Sequence, residues 1–138
     1  MKQFLCVVAW FAVVCFGAGN VGLSPARADG GGDAKTSVRI ALVGAAIGGI
    51  RPEGHADFRT EGNQRQLNVE VERVNLADGT KLAVNVNGNT VGMIKLAVGF
   101  GELELNTKNG ASVPAVQKGD VVTVVALPAQ TTILICTF

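Results

Sequence analysis

The stretch KLAVNVNGNTVGMIK, residues 81–95, sets Leu82, Val84 and Val86 at every second position, turns at Asn87-Gly88 and resumes with TVGMIK. Side chains alternate between the two faces of a strand, so the three apolar residues share one face while Ala83 and Asn85 take the other. Asn and Gly both tolerate positive φ, which makes Asn-Gly between two such runs a strong hairpin signal. The stretch therefore predicts two antiparallel strands with one buried face.

The same alternation runs along most of the chain. In TSVRIALV (36–43) the shared face is Val38, Ile40 and Leu42, and in RQLNVEVERV (65–74) it is Leu67, Val69 and Val71. Further strands are expected at HADFRTE (55–61), TVGMIKLAV (90–98), GELELNT (101–107), VVTVVAL (121–127) and TTILICTF (131–138), with a short one at ASVPAV (111–116). LADGT, TKNGA and QKGD supply turn residues of the same kind as VNGNT. No amphipathic helical stretch of useful length interrupts the strands. The expected fold class is all-β, an antiparallel β-sandwich (Ig-like or jelly-roll-like) of about eight strands after an N-terminal signal peptide. VGAAIGGIRPEG (43–54), with Gly44, Gly48, Gly49, Gly54 and Pro52, reads as a long loop or an irregular crossover between sheets.

The N-terminus carries a different signal. After Lys2 comes the apolar run FLCVVAWFAVVCF, then small and polar residues, with Ala26-Arg27-Ala28 as a small-x-small cleavage triplet. The run is shorter than the roughly 20 residues of a permanent span, so residues 1–28 read as a secretory signal peptide. Neither Cys6 nor Cys15 has the flanks of a lipid attachment site. DGGGDAK (29–35) reads as a flexible Gly-rich leader, and 36–138 as a single domain. Cleavage after Ala28 leaves 110 of the 138 residues, retains all 11 acids and loses Lys2 and Arg27 of the 12 bases, for a net charge of −1. With its cations scattered singly, such a chain lacks the clustered basic face that a nucleic-acid partner requires. Trp10 also leaves and there is no Tyr, so Phe58, Phe100 and Phe138 are the remaining aromatics. That excludes a sugar-stacking platform or an aromatic cage. Cys136 alone survives of three cysteines, so no internal disulfide supports the exported domain.

The candidate sites are few. His55, the one histidine, lies two residues before Asp57, so on a strand both point the same way and a carboxylate is placed to orient an imidazole. Zinc or blue-copper centres need more ligands than His55, Cys136 and Met93 provide. If Ala56, Phe58 and Thr60 form the inner face, then His55, Asp57, Arg59 and Glu61 form an exposed charged stripe. Cys136 and His55 as thiol and base compete with Cys136 as a buried, inert side chain among Ile133, Leu134, Ile135 and Phe138. Glu70 with Glu72, and Glu102 with Glu104, put paired carboxylates on single faces, the raw material of glycoside hydrolysis, but without stacking aromatics. Asp78 and Asp120 stand in turns, where calcium ligands occur. No catalytic, cofactor-binding or metal site is assigned from these residues, and no cofactor is expected.

LNVEVERVNLADGTKLAVNVNGNTVGMIKL, then GELELNTKNGASVPAVQKGDVVTVV and the closing TTILICTF, resemble a family of small, secreted, uncharacterised bacterial β domains over nearly the whole mature chain. The shared pieces are turn and core residues. The resemblance implies fold and export, and brings no reaction or catalytic residue. The expected function is an exported non-enzymatic module, secreted or periplasmic, with a binding or structural role towards an extracytoplasmic protein or surface and no membrane insertion after cleavage. The alternatives are a small outer-membrane β-barrel, against which stand the missing aromatic girdle and short strands, and an enzyme of unrecognised type.

Overall fold

The computed structural model describes residues 34–138; the expected signal peptide and nearly all of the expected leader lie outside the described residues. Eight strands follow one another: β1 (Lys35–Val43), β2 (Glu53–Glu61), β3 (Gln64–Glu72), β4 (Lys81–Val86), β5 (Asn89–Lys95), β6 (Gly101–Asn106), β7 (Val121–Ala126) and β8 (Thr131–Thr137). A single 3-10 turn, Thr107–Asn109, is the one helical piece among the described residues. The chain is thus all-β, and every strand pairing is antiparallel.

Hydrogen bonding links the strands into one sheet in the order β5-β4-β7-β8-β1-β2-β3-β6. Its outer strands, β5 and β6, curl round to meet, so the sheet is nearly closed and barrel-like. Glycine makes that meeting possible. A Cβ on Gly92 of β5 would run into the Leu103 side chain of β6, and one on Gly101 of β6 into the Ile94 side chain of β5. Bulges between Val84 and Asn85 and between Val124 and Val125 add the local twist that curls β4, β5, β7 and β8.

Over β3, β4 and β7 the alternation sorts the side chains as expected, whereas of the expected inner face of β1 only Leu42 is buried, Ile40 being half-buried and Val38 open to solvent. Leu67, Val69, Val71, Leu82, Val84, Val122, Val124 and Leu134 are wholly buried in one core, which Leu42, Ala56, Phe58, Val86, Ile94 and Cys136 complete. At roughly 1.5–3 kcal/mol for each fully buried aliphatic side chain, this core is the main source of stability, since among the described residues Cys136 is a free thiol and no disulfide adds to it. Asn87 (φ 50) and Gly88 (φ 83) close the β4–β5 hairpin in the left-handed conformation that their residue types permit.

Three expectations need correction. ASVPAV is not a strand; residues 111–116 are an irregular connection whose Val113 and Val116 are buried in the core. Pro114 lacks the N–H of a ladder residue, and the two valines seal the core without pairing. Of the two readings of 43–54, a long loop holds and a crossover does not, because β1 and β2 are neighbours paired over their whole length. The middle of that loop is a miniature turn in which Ile47 and Ile50 exchange backbone hydrogen bonds across Gly48-Gly49, and Glu53 and Gly54 already belong to β2. LADGT and TKNGA do not close hairpins, since β3–β4 and β6–β7 are not paired in the sheet. Turn chemistry permits a reversal whichever strand the chain then meets.

Candidate functional site

The outward face of β2, β3 and β6 holds most of the side chains with candidate chemistry. Register places Arg39, Asp57, Asn68 and Glu104 in one row across β1, β2, β3 and β6, and Ala41, His55, Glu70 and Glu102 in the next. His55 and Asp57 share this face, as their spacing requires, but they do not act on each other. His55 Nε2 lies 3.0 Å from Glu70 Oε2. Asp57 instead accepts two hydrogen bonds from Arg59, Nε at 3.1 Å and Nη2 at 3.0 Å, and a longer one from the Ser37 hydroxyl at 3.4 Å.

Asp57 therefore leaves the expected exposed stripe: it is only 6% exposed, covered by the Arg59 guanidinium that folds back over it. The alternation rule fixes the face but not the depth, and a short acid beneath a long base is covered even on an outer face. The hydrogen bonds from Arg59 chiefly, opposed by desolvation and helped by the charges of Arg59 and Arg39, hold the Asp57 carboxyl below the usual range. A depressed folded-state pKa adds stability above the unfolded value that disappears as pH falls through the folded one. Wild-type urea midpoints should accordingly fall more steeply below about pH 4 than those of Asp57→Asn, which has no carboxylate to protonate there. Parallel pH profiles for the two proteins would remove this account of Asp57.

Of the remaining acids on this face, Glu102 and Glu104 are held in polar pairs, while Glu72 at the end of β3 is exposed. Asn68 Nδ2 donates to Glu102 at 2.9 Å and Gln66 Nε2 donates to Glu104 at 3.1 Å. Glu70 and Glu102 face each other across β3 and β6. The Asn68 Oδ1 atom is buried without a hydrogen-bond partner. No group of three His, Cys, Asp or Glu side chains among the described residues is arranged to hold a metal ion. Cys136 points into the core, on the other side of the sheet from His55, and burial pushes its thiol up to about 11. Thiol and imidazole are therefore not brought together. Asp78 accepts from the Val98 N–H at 2.7 Å, and Asp120 accepts from the Gln117 N–H and from Asn87 Nδ2. Those bonds, the one from Asn87 foremost, lower the Asp120 carboxyl. Both acids brace turns.

A second site, not foreseen from the sequence, lies at the end of the barrel where the β1–β2, β3–β4, β5–β6 and β7–β8 connections converge. An open cavity of about 510 Å³ is lined there by Ala45, Ala46 and Ile47, by Leu76, Ala77 and Thr80, and by Ala126, Leu127, Ala129, Thr131, Thr132 and Ile133. Its walls carry no ionisable side chain. Beside it a second hollow runs between the tips of two miniature turns, Ile47–Ile50 and Ala97–Phe100, each closed by a pair of backbone hydrogen bonds. The tips present apolar residues to solvent: Ile50 is 42%, Phe100 44% and Val98 89% exposed. Val98 also has φ 53, a costly conformation for a β-branched residue, held by the hydrogen bond to Asp78. The one sequence signal for this end was the run of small and apolar residues in 43–54; the rest required knowing which loops meet.

Compared with family models, with curated proteins and with solved structures, the chain matches none.

Proposed function

We propose that this chain is an exported, non-enzymatic binding module that takes an apolar ligand at the loop end of its barrel. The observation that carries the reading is the loop-end cavity. Its volume falls in the range of small-molecule sites, its walls are apolar apart from threonine hydroxyls, and among the described residues no acid, imidazole, amine or thiol lines it to activate them. Such a pocket holds a ligand by excluding water and has no group to transform it. The exposed Ile50, Val98 and Phe100 extend the apolar surface beyond the mouth. In fold terms we read the nearly closed sheet as close to a sandwich. Between its halves β5-β4-β7-β8 and β1-β2-β3-β6 the strand ladder holds the single residue pair Val43–Ile135, which supports that reading. Polar residues on the outward rows and aliphatic residues within speak against the outer-membrane alternative, whose barrels turn apolar side chains to lipid.

The test of binding is a titration with a neutral fluorescent naphthylamine. Wild-type protein should give saturable enhancement, and Ala129→Trp, which places an indole at the rim from an exposed turn, should abolish it at an unchanged melting temperature. Absence of saturable binding in the wild type, or chemical turnover of the probe, would overturn the reading. Export has its own check. The intact mass of secreted material should correspond to a chain starting at or near Asp29, with no tryptophan emission because Trp10 has gone.

A further inference from the structure

β1 is paired along its whole length with β2, yet on its other side it meets β8 at one residue pair, Val43–Ile135. Among the described residues no strand pairs with the stretch from Lys35 to Leu42 on that side. β1 and β8 share this single ladder pair, and beside the unpaired part of β1 an apolar groove of about 340 Å³ is floored by Val38, Phe58, Val116 and Phe138. Val38 stands on the inward face of β1 but is 37% exposed, because the groove is open above it. A row of backbone donors and acceptors beside an apolar trough is the surface that receives an added strand: the backbone supplies affinity and alternate side chains fill the trough. The free stretch is eight residues, roughly 25 Å of extended chain.

Charge selects the occupant. β1 contains Lys35 and Arg39 and no acid, and Lys118 stands on the far wall of the groove. Among the described residues Arg39 and Lys118 make no ion pair, while Lys35 reaches only Glu61, at 4.0 Å. Two copies of β1 placed edge to edge would bring four cations together without an acid between them, which disfavours self-association. We infer that the free edge of β1 and the groove beside it bind an extended peptide segment of another protein by strand addition, with apolar residues at alternate positions and carboxylates between them facing Arg39.

The experiment uses capped heptapeptides as probes: alternating Val and Glu, alternating Val and Lys, and the Val/Glu peptide with alternate amides N-methylated. Binding is followed by amide shifts and hydrogen exchange. The Val/Glu peptide should shift residues around Val38, Phe58, Val116 and Phe138, slow exchange of the β1 amides that point away from β2, and bind at least about tenfold more tightly than the Val/Lys peptide. N-methylation on the pairing side should abolish binding. Val38→Asp, at a half-open position that the fold tolerates, should weaken the Val/Glu peptide about tenfold or more, and Arg39→Glu should reverse the preference between the two peptides. The inference fails if no peptide shifts these residues up to about 1 mM, the weakest binding worth counting, or if both signs of charge bind equally. It fails also if the β1 amides that point away from β2 are already protected in the peptide-free protein, because the edge is then occupied by a second copy or by the chain itself.

Discussion

Val84→Asp is expected to unfold most of the protein at room temperature, while Asn85→Asp, one residue along, leaves the urea midpoint almost unchanged. Val84 is fully buried in β4, flanked by Gly92 of β5 and Val124 of β7 in the ladder, and faces the core shared by both halves of the sheet. A carboxylate there has no cation within reach. It must either stay charged in an apolar medium or take up a proton and still lack a partner, at a cost of several kcal/mol. The total stability of a domain this size is about 5–15 kcal/mol. Asn85 lies on the outer face, where its Oδ1 accepts from the Thr90 hydroxyl at 2.7 Å. Aspartate keeps that acceptor, so the change should stay within about 0.5 kcal/mol. Equal midpoints for the two variants would show that β4 does not present alternate faces to core and water.

That contrast is legible in the sequence alone, because a period of two in Leu82, Val84 and Val86 has one structural meaning. Depth and partnership were less readable. Asp57 alternates with Ala56 and Phe58 as an outward residue should, and nothing in HADFRTE reveals that Arg59 folds back to cover it. ASVPAV has the composition of a strand, but its valines are core plugs in a connection. Topology was legible only where a turn is two residues long, as at Asn87-Gly88. Longer links such as 73–80 carry the chain across the barrel with the same residue types. The loop-end cavity was the least legible feature, since it is assembled from three segments separated by dozens of residues. Each contributes a few alanines, threonines or leucines that mean nothing alone.

Gly44→Ala should be the most damaging change available that adds a single methyl group. Gly44 follows the end of β1, beside the one residue pair that ties β1 to β8. A Cβ there would be driven into the carbonyl oxygen of Ile133, with the Leu134 side chain close behind. A side chain in the way can change rotamer, but a backbone carbonyl held between two strands cannot move without taking its strand along. The methyl group therefore forces β8 away from β1 at the point where the halves of the sheet are joined. Overpacking of this kind costs about 1–3 kcal/mol and more where backbone must shift, so the urea midpoint should drop by a corresponding amount. The loss should come with faster hydrogen exchange at Val43 and Ile135, while the β4–β5 hairpin keeps its protection. Gly49→Ala is the control: Gly49 has φ 81 but open space around its Cα, so an alanine there meets conformational strain and no clash. Its cost should stay near 1 kcal/mol, that of holding alanine in the left-handed region. If the two substitutions cost the same, close approach of β1 and β8 at Gly44 is not what joins the two halves, and the sheet must be held there by the burial of Leu42 and Leu134 alone.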